Sequence, residues 1–195
     1  MTLNAGGARF DSGVVSGGGE IISSGVALFV PGVGVISQGA ALSGLVVGNT
    51  QTAYVLSGGS TTGTAVMSGG YEHIGDGGGA SGTALDPSTE YVASGGMAIA
   101  TSVLSGSVVN VAAGGVISNV YVGLDGTLYL SGSAIGTILS GGYVQVAKRV
   151  WVAGDGVEGG AAYFTRRVAA RPQPARSAAR HRSRRALPRP PRGAR

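Results

Sequence analysis

The sequence predicts an all-β chain, a parallel β-helix solenoid of short coils of 17–20 residues, ending in a disordered tail rich in Arg, Pro and Ala. Three observations predict it. Glycine-rich segments, drawn from 38 glycines in 195 residues, recur near positions 38, 58, 78, 95, 114 and 132, and a fixed period of this size marks stacked repeats. Each period holds two runs of β-branched and aliphatic residues without a 3.6-residue rhythm, which points to strands. The charges are segregated: three basic residues against nine acids before position 166, a net of −6, then eleven arginines and no acid over the last 30 residues.

The apolar runs fall into two columns. The first places Val47, Val66, Leu85, Val103, Tyr121 and Leu139 in register, and the second Val55, Ile74, Val92, Val111, Leu130 and Val146. A solenoid requires such columns, because each coil pairs its backbone with the next roughly 4.8 Å away and stacks like side chains inside. The intervening glycines then mark corners, where positive φ or close backbone approach excludes a Cβ.

Alternation along a strand assigns the neighbours of the second column. Tyr54, His73, Tyr91, Asn110, Tyr129 and Gln145, one residue earlier, form an exterior ridge that is polar and aromatic. One residue earlier again, Ala53, Glu72, Glu90, Val109, Leu128 and Val144 point inward, and the two glutamates stand out as exceptions.

In chain order, residues 1–37 read as irregular N-terminal coils, 38–146 as the regular repeats, 147–165 as a degraded last coil and 166–195 as the disordered basic tail. The tail cannot bury enough apolar surface to offset its chain entropy. It lacks lysine altogether, so two readings stand beside each other: a basic arm for phosphate-bearing partners, or the translated end of a frame-shifted gene. The first eight residues have neither the basic start nor the apolar core of a signal peptide, and no apolar run reaches the length of a membrane helix. Cysteine is absent and His73 and His181 are far apart, so no metal site or cofactor is expected.

The string Gly58-Gly59-Ser60-Thr61-Thr62-Gly63-Thr64-Ala65-Val66-Met67-Ser68-Gly69-Gly70 returns in part at Gly78 to Leu85 and at Gly136 to Gly142. Over positions 6 to 146 this pattern resembles the passenger repeats of autotransporter adhesins of the AIDA and antigen 43 type. The resemblance implies a right-handed parallel β-helix displayed at the bacterial cell surface. It also implies adhesion, auto-aggregation and biofilm growth, without enzymatic activity. The partners it implies are further copies of the chain, or glycans and proteins of host and bacterial surfaces. No specific nucleic acid is expected. The sequence departs from the family at both ends, since neither a signal peptide nor a carboxy-terminal barrel is visible, and export stays open.

Thr64, Thr83, Thr101 and Thr137 occupy equivalent positions two residues before the first column, with Asn119 in the fourth coil. They read as a polar ladder hydrogen-bonding along the stack; the resemblance adds O-glycosylation as a second reading. Glu72 and Glu90 align in adjacent coils. Carboxyls about 5 to 9 Å apart serve glycoside hydrolysis, so a polysaccharide-acting enzyme is the alternative function, with two solvent-reaching glutamates as the plainer reading. A non-functional gene remnant is the third.

Overall fold

The computed structural model describes residues 22–147, and beyond them the backbone strands Val152–Ala153, Gly156–Glu158 and Ala161–Phe164. The arginine-rich tail and the first 21 residues lie outside the described residues. Among the described residues there is no helix, and hence none long and apolar enough to cross a membrane.

Six consecutive coils run from Ala41 to Val146, and each contributes three strands rather than the two the sequence suggests. In the coil that begins at residue 60 these are Ser60–Thr62, Ala65–Val66 and Tyr71–Ile74. Stacking coil on coil yields three parallel sheets. Sheet one collects the three-residue strands from Ala41–Ser43 to Ser133–Ile135 and continues into Val152–Ala153. Sheet two collects the short strands from Val46–Val47 to Ile138–Ser140 and continues into Gly156–Glu158. Sheet three collects the four-residue strands from Thr52–Val55 to Tyr143–Val146 and continues into Ala161–Phe164. The stretch read as a degraded coil thus supplies one strand to every sheet.

The corners follow from backbone chemistry. Between sheets one and two, a left-handed residue recurs in every coil: Gly44, Gly63, Gly82, Ala100, Asn119 and Gly136. Each of the first five donates its N–H to the carbonyl of the next coil, as Gly63 does to Ser81 at 2.8 Å and Asn119 to Ile135 at 2.8 Å. Asparagine is among the few side chains that tolerate this conformation. Other glycines answer to space: a Cβ on Gly70 would stand 2.6 Å from the Val47 carbonyl oxygen, so one coil can lie on the next only if that atom is missing.

The amino-terminal end breaks the parallel rule. Val26–Val30 and Gly34–Gly39 form an antiparallel hairpin, and Val26–Val30 pairs antiparallel with Thr52–Val55, so the segment read as irregular coils is, from residue 26, a hairpin closing sheet three. Its turn is set by Pro31 and Gly32: Val33 donates to the Val30 carbonyl at 3.1 Å, and Gly32 takes φ 79°, the geometry that Pro-Gly favours. This pairing covers the edge of the outermost regular strand and makes Gly34–Gly39 the edge of the sheet instead.

Candidate functional site

The second apolar column, Val55, Ile74, Val92, Val111, Leu130 and Val146, is one unbroken buried ladder along sheet three. In the first column Val47, Val66, Leu85, Val103 and Leu139 are buried, but Tyr121 is not; it is 39% exposed, and Val122, wholly buried, pairs with Val103 and Leu139. The same one-residue correction moves Asn119 out of the threonine column, where Val120 stands instead. The physical reason is that Asn119 takes the left-handed corner, so the coil from Val103 to Val122 spans 19 residues and the next only 17.

Thr64, Thr83, Thr101 and Thr137 are buried and point into the solenoid. In the folded chain their hydroxyls are closed to a glycosyltransferase, and of the two readings, polar ladder and glycosylation, burial fits the first. What they face is the larger surprise. Glu72 and Glu90 are 1% and 0% exposed and sit directly over one another on adjacent rungs of sheet three, about 4.8 Å apart. They are neither solvent-reaching nor open to a polymer: no polysaccharide reaches carboxyls enclosed by three sheets, which removes the catalytic role considered for this pair.

The threonines make the burial tolerable. Thr61 Oγ1 donates to Glu72 Oε1 at 2.9 Å, Thr83 Oγ1 donates to Glu72 Oε2 at 2.7 Å, and Thr101 Oγ1 reaches Glu90 Oε1 at 3.4 Å. Each bond joins residues eleven apart, the offset that carries the chain from sheet three to the corner before sheet two of the next coil, or from sheet one to sheet three within a coil. Glu72 is held by two short bonds, whereas Glu90 has one long bond and its Oε2 has no partner. Loss of hydration raises both carboxyls above the ordinary range. At Glu72 the hydroxyls of Thr83, Thr61 and Thr64 oppose the rise. At Glu90 the neighbouring Glu72 adds to it, and the group is pushed up to about 8.

The outer surface of sheet three carries the exterior ridge. His73, Asn110 and Gln145 are half-buried, and Tyr91 and Tyr129 are exposed. Tyr54 is corrected: it lies on that face but is buried by the hairpin, in a second apolar cluster with Ile22, Ala27, Phe29 and Leu56. Burial pushes its hydroxyl up to about 12. The rings of Tyr54, His73 and Tyr91 form a row, with centroids 5.7 and 5.1 Å apart, and the second pair is stacked at 22°. A parallel row that alternation alone would have found is Thr52, Tyr71, Thr89, Val108, Thr127 and Tyr143, in which Tyr71 is 51% exposed. Among the described residues no group of three or more metal-binding side chains forms.

No protein-family model matches the sequence, and comparison with curated proteins finds no match. Among solved structures, the chain is similar to a crystal structure of a TibC-catalyzed hyper-glycosylated TibA fragment, at 24% identity and a TM-score of 0.44. The match covers 63% of this chain and 63% of that one.

Proposed function

We propose that the chain is a structural, adhesive segment of a bacterial surface protein of the autotransporter passenger type, acting by association of its outer faces with further copies of itself. The observation that carries this reading is the division of labour between the two surfaces of sheet three. The inner surface is closed and packed, while the outer surface presents Tyr71, Tyr91 and Tyr129 among Thr89, Asn110, Thr127 and Gln145 in rows of fixed spacing. Tyrosine suits such a surface, because its ring supplies apolar area and its hydroxyl a hydrogen bond at the wet end.

Two copies share the same rung spacing, so rows on one fit between rows on the other over the whole length. The seven parallel strands of sheet three span roughly 450 Å² at 4.8 Å between strands and 3.3 Å per residue. A stable pairwise interface needs about 800 Å² per partner. One face therefore makes a weak contact, and many copies displayed side by side make a strong one. At Tyr91 the ring face toward His73 is covered by the stacked imidazole and is closed to a pyranose.

The test is clumping of beads coated with the chain. Replacing Tyr71, Tyr91 and Tyr129 together with serine should abolish clumping while leaving the circular dichroism spectrum β-rich. Undiminished clumping by that variant would refute the assignment of this face, and clumping only with glycan-bearing cells would favour a carbohydrate partner.

A further inference from the structure

The buried glutamates serve no surface function, yet they occupy the middle of the stack, where an apolar pair would fit. Both are enclosed, they share adjacent rungs, and the donors around them are unequally divided. Glu72 accepts from Thr61 and Thr83 at both oxygens and has the environment of an anion. Glu90 has a single hydroxyl at 3.4 Å, and its Oε2, wholly buried, meets no donor. An orphaned carboxylate oxygen in a dry interior is costly, but a carboxylic acid O–H at that atom is a donor, and the nearest charge is the carboxylate one rung away. Two carboxyls this close cannot both ionise without strong mutual repulsion.

We infer that the Glu72–Glu90 pair is an internal acid lock: it holds coils 60–111 together while it carries one proton, and it loosens them at that one place when the second carboxyl ionises.

The surroundings isolate the pair. From sheet one the inward residues are Thr61, Ala80 and Ala98, from the corner before sheet two Thr64, Thr83 and Thr101, and from sheet two the valine and leucine column; none titrates. On sheet three the flanking inward residues are Ala53 and Val109. His73 is on the same strand as Glu72 but faces out, and burial pushes its imidazole below its ordinary 6.5, so it adds a small slope of opposite sign near pH 6.5 that fades above about pH 7.5. The sign of the effect follows. Between the ordinary carboxyl value of 4.5 and about 8, Glu90 is ionised in the unfolded chain and protonated in the folded one. Unfolding then releases a proton, and stability falls as the pH rises through that window, levelling off above it.

The experiment is equilibrium unfolding of the full chain in denaturant from pH 6.5 to 9.5, beside the variant Glu90→Gln. The wild-type unfolding constant should rise about fourfold between pH 7 and 8 and flatten above 8.5. Glu90→Gln should show a clearly smaller rise over the same interval, because the Glu90 carboxyl and its repulsion with Glu72 are both gone. An equal slope in Glu90→Gln, or no slope in the wild type, would overturn the lock. Should the variant fail to fold, proton release decides the matter: unfolding the wild type at pH 7.5 in weakly buffered solution with an indicator should release most of one proton, and no release, or uptake, would refute it.

Discussion

At the inward position of sheet three, the coils at 60–74 and 79–92 place Glu72 and Glu90, whereas the three coils that follow place Val109, Leu128 and Val144. The backbone does not register the change: Glu90 pairs with Val109 in the same ladder that pairs Glu90 with Glu72. The difference lies across the interior. Glu72 and Glu90 look at Thr83 and Thr101 in the next coil, while the corresponding partner of Val109 is Val120. The comparison teaches that the stack holds a buried acid where a hydroxyl faces it from the next coil, here Thr83 for Glu72 and Thr101 for Glu90, each eleven residues on. The polar half should therefore be conditional on protonation, and the apolar half indifferent to it.

The comparison is most severely tested by moving an acid. Val109→Glu puts a third carboxyl beside Glu90 and opposite Val120, where no hydroxyl waits, and should cost about 3 to 5 kcal/mol, read from the denaturation midpoint. Leu128→Glu should cost less, because its partner position in the next coil is Thr137; equal penalties would break this pairing of acid with hydroxyl. Next in size, Thr83→Val removes the 2.7 Å bond to Glu72 and should cost about 2 kcal/mol at pH 7. Glu90→Leu, which copies Leu128 two coils on, should change stability by less than about 1 kcal/mol at pH 6 and raise it at pH 9, since the group that ionises is gone. The smallest effect belongs to the outer surface: Tyr129→Ser, with no ring beside it in the row, should stay within about 0.5 kcal/mol, while weakening bead clumping.

Much of the solenoid was legible because its widest sheet is written in large residues. Val55, Ile74, Val92, Val111, Leu130 and Val146 hold register without help. Sheet one escaped because its inward residues include Thr61, Ala80, Ala98 and Ala134, too small and too varied to give a strand signal. The slip at Tyr121 arose because tyrosine and valine both suit a core column; only the left-handed corner at Asn119 decides between Tyr121 and Val122. The hairpin was announced by Pro31-Gly32, a turn signal submerged in a sequence already full of glycine, and with it went the burial of Tyr54. Carboxylates are ordinarily surface groups, so alternation pointing Glu72 and Glu90 inward looked like an exception. The decisive signal was the threonine eleven residues after each glutamate, Thr83 and Thr101, which pairs acid with donor once coils are stacked.

The claim that the two halves differ in one protonatable pair is tested most directly by amide hydrogen exchange resolved by coil, at pH 6 and pH 9 and corrected for the intrinsic rate. The account predicts that strands Tyr71–Ile74 and Thr89–Val92 lose protection at pH 9 while Thr127–Leu130 and Tyr143–Val146 keep theirs. Equal loss in all four strands, or none in any, would contradict it.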